Sequence, residues 1–382
     1  MPFTPAEFEF YVRNPRTLAF VGELRPQDVA ARWTRRDVAG GSFEVTIPRD
    51  LVSLSLLDAH NLIEIRRDGA QEFVGVLERR EIDRLGKQWK LSGPDTLGWW
   101  LEQRRVGATA ADDRAGGAED VLVAYLNAYL GNAAAAAQRA QNALSGTTWS
   151  VQASSGRGAA VNIASGRRTL AAVVEEICRE GDLVPSLVLL DDLSGYELRV
   201  AAPTDATSAS GAVPFAVDWD NVEELIYAED YRTFWNYLYV FGEGAGDSRP
   251  YSEVADVDSV ATHFRREGAI DARYATTADQ RQAVGDLEIV RRQQALVTVR
   301  AKPFRAAGSA RYREDWDVGW DVTFGESELR SEPVDIRVVS ATIALTRERG
   351  EDITFELGQH RAGSQLRRLE DAVRQLRVAS LE

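Results

Sequence analysis

The clearest alternation of hydrophobic and polar positions lies between Leu62 and Arg105. A compact apolar run at 62–65 ends at Asp68-Gly69, a pair suited to the positive φ angles of a hairpin turn. Residues 72–78 and 88–93 continue as extended segments, and 97–105 has apolar residues at helical spacing. This stretch predicts three strands joined by turns and followed by a short helix.

The segment before it also alternates. Phe8, Phe10 and Val12 predict a half-buried strand, and 18–22 and 42–48 predict two more, followed by a short helix or loop at 51–57. Together with the three strands above, this gives about six strands at short spacing, which is typical of a small antiparallel barrel or sandwich.

After Arg105 the pattern becomes mixed. Helical spacing predicts helices at 118–130 and 169–180, and an alanine-rich composition predicts another at 133–144. The Gly/Ser-rich stretch 145–168 predicts a loop. Strands are predicted at 184–190 and 196–201, and the small polar run 203–214 is a candidate boundary. Residues 96–215 are therefore predicted to be an α/β insertion between two β-rich regions.

The second β-rich region extends to about residue 361. Aromatic residues on both sides of 234–241 predict a strand that is covered on both faces. A helix is predicted at 277–292 and a strand at 295–301. The alternating run 334–345 and its return at 353–357 predict a hairpin.

The last twenty residues have a different period. Leu366, Leu369, Val373 and Leu376 are spaced three, four and three residues apart, which is a short heptad seam. An isolated helix of this length is marginal in water. We therefore expect the C-terminal helix at 362–382 to pack against a partner, which is either the body of the chain or copies of itself.

The composition argues against several classes of function. The chain has 382 residues with 27% charged residues and a net charge of −14, which disfavours electrostatic wrapping of nucleic acid. No apolar run approaches the roughly 20 residues that span a bilayer, and no signal peptide is predicted. The one cysteine, Cys178, excludes an internal disulfide framework and most cysteine metal sites.

Candidate chemistry is sparse. The glycine-rich run 242–246 lacks the Lys-Ser/Thr that follows a phosphate-binding loop, so a loop at a strand end is the better interpretation. Asp315, Asp317 and Asp321 have a spacing that calcium loops use, but the glycine is displaced and no closing glutamate follows. We expect these acids to form the solvated face of a strand, with Trp316 and Trp320 on the other face.

No catalytic constellation emerges. The three histidines are scattered without metal-ligand spacing, Cys178 has no neighbouring histidine, and no G-x-S-x-G elbow occurs. We therefore predict no catalytic, cofactor-binding or metal-binding residue, no cofactor and no enzymatic activity.

Several motifs resemble siphovirus tail-hub proteins, also called baseplate-hub or tail-associated proteins. The resemblance lies in Phe73–Arg79, Lys90–Leu97, Glu102–Val106, Asn236–Gly244, Arg266–Arg273 and Tyr312–Thr323, which occur in the order found in the family. It covers roughly residues 60–105 and 220–360. Pro94 departs from the pattern of many members, and 108–215 has no counterpart that the pattern identifies.

The resemblance implies an α+β, β-rich fold with two tube-like antiparallel β-barrels, at 1–95 and 216–361. The α/β insertion at 96–215 would lie between them, and the short C-terminal helix at 362–382 would follow. Three copies would form a homotrimeric, pseudo-sixfold ring. The ring would join the tail tube, distal tail and tape-measure proteins to tip or fibre proteins. The protein would assemble in the host cytoplasm, reside in the virion tail tip, and serve in host attachment and genome ejection.

The same picture gives expectations for interfaces and for the channel. We predict that Trp99, Trp100, Arg104 and Arg105, together with the heptad residues, lie at subunit contacts. If acidic residues line the lumen, DNA would pass through it without specific binding.

Two alternatives stay open. A tail-tip enzyme that degrades cell wall or polysaccharide would have room only in 108–215. A carbohydrate-binding receptor module would need exposed aromatic side chains, for which Trp99, Trp100, Trp316 and Trp320 are the candidates.

Overall fold

A computed structural model gives the fold of the chain. It describes residues 6–38, 40–108, 110–131, 134, 148–163, 165, 167–212, 214–216, 221–232, 234–273, 275–292, 296–303, 310–325, 333–346 and 350–360. The predicted helix at 133–144 and the heptad at 362–382 lie outside the described residues, apart from Ala134.

The N-terminal segment consists of short strands that end in a helix. Its elements are β1 (Phe8–Arg13), β2 (Phe20–Leu24), β3 (Ala30–Arg36), β4 (Ser42–Pro48), β5 (Leu62–Arg67), β6 (Ala70–Val76), β7 (Arg79–Asp83), β8 (Gln88–Pro94) and α1 (Thr96–Glu102). Two short 3-10 helices cover Arg49–Leu51 and Leu54–Leu57, as the pattern at 51–57 predicts.

The middle segment combines helices with small sheets. It contains β9 (Arg114–Gly117), α2 (Ala118–Tyr129), β10 (Thr148–Val151), β11 (Ala160–Ile163), α3 (Leu170–Gly181), β12 (Val184–Leu189) and β13 (Gly195–Ala201). One sheet has the order β10-β13-β12, and β9 pairs with β11.

The C-terminal segment contains the longest strands. Its elements are β14 (Asp205–Ala206), β15 (Phe215–Ala216), β16 (Val222–Asp230), β17 (Tyr237–Phe241), β18 (Tyr251–Ala255), α4 (Val257–His263), β19 (Glu267–Asp271), α5 (Ala278–Arg292), β20 (Leu296–Pro303), β21 (Asp321–Gly325), β22 (Val334–Thr346) and β23 (Gly350–His360).

One eleven-stranded sheet dominates the molecule. Its main path is β16-β20-β23-β22-β3-β4-β8-β7, and β21 joins β14 and β15 to β22. A four-stranded sheet, β2-β1-β5-β6, shares a core with it, because alternate residues such as Phe10 and Ile63 pack with Trp33 and Phe355. The α+β, β-rich class is confirmed. The two barrels are not, since no described sheet closes on itself.

Two further cores lie outside this one. The core of the middle segment includes Leu122 and Val173 from its helices, and also Leu62 and Val76 of the four-stranded sheet, so the insertion packs against that sheet. Residues 234–292 form a small unit with its own core, in which α5 covers one face of the sheet β18-β17-β19. This unit lies between β16 and β20, which pair with each other.

Most of the predicted elements are present. Asp68 and Gly69 have φ angles of 50° and 77°, as the predicted hairpin turn requires, and Arg67 pairs with Ala70 across it. The 334–357 hairpin and the helices near 118–130, 169–180 and 277–292 are confirmed.

Other expectations were wrong. β3 and β7 were missed because their charged residues mask the alternation: Arg35 is ion-paired and Arg79 is exposed. The loop predicted at 145–168 contains β10 and β11. The aromatic strand β17 is buried only at alternate positions, since α5 covers one of its faces.

Candidate assembly surfaces

The first surface surrounds α1, which carries Trp99 and Trp100 and is followed by Arg104 and Arg105. The side chain of Asp95 caps α1 by accepting a 2.6 Å hydrogen bond from the amide of Gly98, and its other oxygen accepts one of 2.6 Å from Gly41. Burial raises the pKa of Asp95 by more than the two backbone hydrogen bonds lower it, so this pKa lies above its ordinary value. Gly40 and Gly98 approach so closely that a Cβ at either would lie within 2.7 Å of the other's Cα. This contact fixes α1 against the β3–β4 turn.

Five aromatic rings form a continuous row at this place, which we call the tryptophan cluster. The centroid distances are 5.8 Å for His60–Trp99, 4.5 Å for Trp99–Trp100, 5.6 Å for Trp100–Trp149 and 5.5 Å for Trp149–Tyr196. The indole N–H of Trp99 donates a 2.6 Å hydrogen bond to Glu78. Trp99 and Trp100 are half-buried, so each presents part of its ring to solvent.

The arginines after α1 lie beside the cluster. The guanidinium of Arg104 is 5.9 Å from the centroid of Trp100. Arg105 is exposed, and its backbone pairs with Thr169 at the start of α3. The structure thus brings Trp99, Trp100 and Arg104 together and places Arg105 at the junction with the insertion. Leu366, Leu369, Val373 and Leu376 lie outside the described residues.

A buried ion network lies on the other side of β6. The carboxylate of Glu72 accepts hydrogen bonds from Tyr312 (2.8 Å), Arg313 (3.0 Å) and Trp33 (3.4 Å). Asp317 accepts 2.6 Å and 2.8 Å bonds from Arg35 and Arg313. The network ties residues 310–320 to both major sheets.

The network shifts the ionisation of its members. Burial raises the pKa of Asp317, but Arg35 and Arg313 outweigh it and hold that pKa below its ordinary value. Burial lowers the pKa of Arg35, but Tyr312, Asp317 and Glu72 raise it above the ordinary value. Both groups are therefore charged at neutral pH.

The segment 315–321 differs from its prediction. Residues 311–320 form turns, and a strand begins only at Asp321, so the three acids do not share one strand face. Asp317 is ion-paired, Asp321 pairs with Arg337 at 2.9 Å, and Asp315 is exposed. Trp316 is completely buried, which removes it as a sugar-binding candidate, and Trp320 is half-buried.

The surfaces offer little chemistry for catalysis. A shallow cleft of about 200 Å³ beside the network is lined by both signs of charge, including Arg67, Glu72 and Arg313, which are paired with one another or with Glu351. Burial raises the pKa of Cys178, which leaves its thiol protonated. Across the described part of the chain, no group of three or more His, Cys, Asp or Glu side chains could hold a metal ion.

Comparison with known families identifies the chain. The sequence model of a family described as "Siphovirus ReqiPepy6 Gp37-like protein" matches residues 9–358. The chain belongs to this family. The resemblance to siphovirus tail proteins is therefore confirmed. No curated protein matches the chain.

Solved structures of tail proteins share the fold of this chain. A prophage MuSo2 43 kDa tail protein from Shewanella oneidensis has a TM-score of 0.58 at 11% identity, covering 92% of this chain and 98% of that one. A tail protein from Neisseria meningitidis MC58 has a TM-score of 0.54 at 14% identity, covering 92% and 96%. Prophage tail protein gp18 from Listeria monocytogenes EGD-e has a TM-score of 0.51 at 11% identity, covering 96% and 99%.

The family and the shared fold together support a structural protein of the phage tail, which is a component of the virion. No described helix is long and apolar enough to span a bilayer. Sequence reasoning missed the Glu72 network. The only local signal for it was a carboxylate placed directly before the apolar run Phe73–Val76.

Proposed function

We propose that this protein is a non-enzymatic hub of a phage tail tip that assembles as a homotrimeric ring. The observation that carries the proposal is the eight-strand path from β16 to β7. Both end strands lack a neighbour on their outer edge among the described strands. An unpaired edge is a template for pairing with another chain.

The two edges are suited to each other in direction. Every neighbouring pair along the path is antiparallel, and the path contains eight strands, so β16 and β7 run in opposite directions. β7 of one copy can therefore pair with β16 of the next and continue the same antiparallel order. A head-to-tail contact of this kind closes into a ring when the rotation permits.

The two edges are also suited to each other in charge. β7 begins with Arg79 and Arg80, whereas the sequence of β16 ends in Glu229-Asp230. Antiparallel pairing places the start of one strand opposite the end of the other. Each edge also carries an exposed isoleucine, Ile82 on β7 and Ile226 on β16.

This geometry supports the interface residues predicted from sequence. Trp99 is hydrogen-bonded to Glu78, which directly precedes β7, so the tryptophan cluster lies next to the proposed contact. We propose Trp99, Trp100, Arg104 and Arg105 as interface residues on this basis. The heptad residues Leu366, Leu369, Val373 and Leu376 would add a threefold bundle or a docked helix.

The exposed face of the large sheet bears on DNA passage. Two cations on this face are paired across strands: Arg300 lies 2.5 Å from Glu356, and Lys302 lies 3.1 Å from Asp352. If this face lines the lumen, these ion pairs neutralise part of its charge, whereas the net charge of −14 alone would favour an acidic wall. We propose that DNA passes it without specific binding, because carboxylates on the same face pair with Arg300 and Lys302.

Family membership also motivates the remaining proposals. The tail tube, distal tail and tape-measure proteins would lie on one side of the ring, and tip or fibre proteins on the other. Assembly would take place in the host cytoplasm, before host attachment and genome ejection. We propose a division of the sequence into the segments 1–95, 96–215, 216–361 and 362–382. The first and third of these are joined by the pairing of β3 with β22.

Charge reversal at the edge tests the ring. Arg79→Glu places an acid opposite the acidic end of β16. On dilution, we expect the trimer of this variant to dissociate at a protein concentration about tenfold higher than the wild-type trimer does. Light scattering after size-exclusion chromatography measures the mass. Reversing Asp230 to arginine in the same chain should restore the trimer.

Arg199→Glu is the matched control. Arg199 is likewise exposed and paired with a glutamate two residues away on its own strand, Glu197, at 2.6 Å. A wild type that stays monomeric at all concentrations, or equal effects of both variants, would contradict the ring.

A further inference from the structure

The 234–292 unit presents an uncovered sheet face that its own core does not use. Tyr237, Tyr239 and Phe241 of β17 alternate with Leu238 and Val240, which pack beneath α5. Directly opposite Tyr239 and Phe241 lie Glu253 and Tyr251 of β18, and opposed residues of an antiparallel pair share a face. We call the side chains of Tyr237, Tyr239, Phe241, Tyr251 and Glu253 the aromatic face.

The rings form one connected surface. Centroid distances are 5.6 Å for Tyr237–Tyr239, 6.2 Å for Tyr239–Tyr251 and 5.9 Å for Phe241–Tyr251. Tyr251 is 53% exposed, which is high for a large side chain in a strand. Exposed aromatic groups of this extent on a sheet typically mark a binding surface.

Two of the rings already hold guanidinium groups of the chain itself. Arg265 lies 3.5 Å from the centroid of Tyr237, donates a 2.8 Å hydrogen bond to the hydroxyl of Tyr239, and is paired with Glu267 at 2.6 Å. Arg249 lies 5.5 Å from the centroid of Phe241 and is paired with Asp271. The face therefore attracts cations, and these two are neutralised by acids of β19.

The charge of Glu253 on this face is not neutralised in this way. Glu253 is exposed and accepts a hydrogen bond from the hydroxyl of Tyr237, but no cation of the described residues forms an ion pair with it. Tyr239 lies across the strand pair from Glu253, and Tyr251 lies two residues before it on the same face. A carboxylate beside two aromatic rings is complementary to an ammonium or guanidinium group.

The edge of β18 offers backbone groups at the same place. The amide of Gly242 donates to the carbonyl of Pro250, and the amide of Asp256 donates to the carbonyl of Asn236. Because these groups alternate along an antiparallel strand, the backbone of Tyr251, Glu253 and Ala255 points away from β17. β18 has no other strand neighbour among the described strands.

We propose that an extended basic segment of a partner polypeptide adds to the free edge of β18, with a lysine or arginine placed beside Glu253, Tyr239 and Tyr251. Strand addition supplies backbone hydrogen bonds, and the cation site fixes the register. A polypeptide is favoured over a free ammonium compound because Tyr251 and Glu253 of the cation site lie on the strand that carries the outward backbone groups.

The test uses the full chain and a fluorescein-labelled hexapeptide of alternating threonine and lysine, with binding followed by anisotropy. We expect saturable binding that weakens about five- to tenfold in Glu253→Gln, which keeps the acceptor for Tyr237. Glu243→Gln, which changes an exposed acid in the loop after β17, should bind like wild type. A peptide with glutamine in place of lysine should bind much more weakly.

The edge is tested separately by Ala255→Pro, which removes an outward amide and no bond to β17. We expect this variant to lose binding while its melting temperature stays that of the wild type. If its melting temperature falls, the binding measured for Glu253→Gln is the test of the proposal. Equal binding by Glu253→Gln and Glu243→Gln, or equal binding of both peptides, would overturn the proposal. So would binding of a neutral oligosaccharide that Tyr239→Ala abolishes.

Discussion

At the scale of single residues, charge placement decides how the 310–320 segment is held. Glu72 and Asp317 accept bonds from arginines that lie far apart in sequence, Arg35 and Arg313. Arg313 has a φ of 73°, an unfavourable angle for this residue, which its bonds to Glu72, Asp317 and the Gln71 carbonyl hold in place. Removing one partner from such a network leaves an uncompensated buried charge, which is destabilising.

The lowered pKa of Asp317 gives a pH dependence. A carboxyl whose pKa is lower in the folded than in the unfolded state stabilises the fold above the unfolded value, about 4, and this contribution is lost as the pH falls through the folded value. We therefore expect Asp317→Asn to unfold at lower urea concentration than wild type at pH 7.

The difference between the two proteins should shrink as the pH falls below about 4, because the unfolded wild type then binds a proton at Asp317 that the folded protein does not yet bind. Asp315→Asn, which changes an exposed acid two residues earlier, is the control. A difference that stays constant from pH 7 to pH 3 would show that the charge of Asp317 is not what stabilises this segment.

At the scale of elements, close backbone contact positions α1 and with it the tryptophan cluster. The local sequence 94–97 predicts where the helix begins, and Asp95 confirms this as its cap. It does not predict which surface the helix lies on. That depends on Gly98 meeting Gly40, where neither residue has room for a side chain.

Gly98→Ala tests this contact. A methyl group 2.7 Å from the Cα of Gly40 must push α1 away, and we expect a loss of about 2 kcal/mol in unfolding free energy. The near-ultraviolet circular dichroism of the tryptophans should change as well. Gly325→Ala is the control, because its added methyl would have no neighbour closer than 3.9 Å. Equal stability of both variants would show that the helix tolerates the displacement.

At the scale of the whole molecule, the N-terminal and C-terminal segments form one structure. β3 pairs with β22, and the shared core joins Trp33 and Phe43 to Phe324 and Phe355. The insertion is connected by Arg337, which bonds both Asp321 and Asp182 at 2.9 Å and 3.0 Å. Stability is therefore distributed across segments that are distant in sequence.

This arrangement predicts that residues 1–105 do not fold alone. In isolation, β3 would lose its partner β22 and the core around Trp33 would be open on one side. We expect a fragment of residues 1–105 to lack near-ultraviolet circular dichroism and to show no cooperative melting. The full chain should melt with the sheet as one unit. A fragment that melts cooperatively would show that the first segment is an independent domain.

The sequence alone determined the local elements wherever periodicity and turn chemistry agree: the Asp68-Gly69 hairpin, the 334–357 hairpin, the amphipathic helices and the β-rich class. These depend on neighbours within a few residues, so the pattern contains them. The motif order also identified the tail-protein family correctly.

Only the tertiary structure decided which strands pair, because register and partner depend on residues hundreds of positions apart. It joined β3 to β22 in one open sheet where two barrels had been expected. It buried Trp316, paired Asp317, and left the aromatic face uncovered. A run of alternating aromatic residues reads the same whether one face is covered or both, and only packing distinguishes the two.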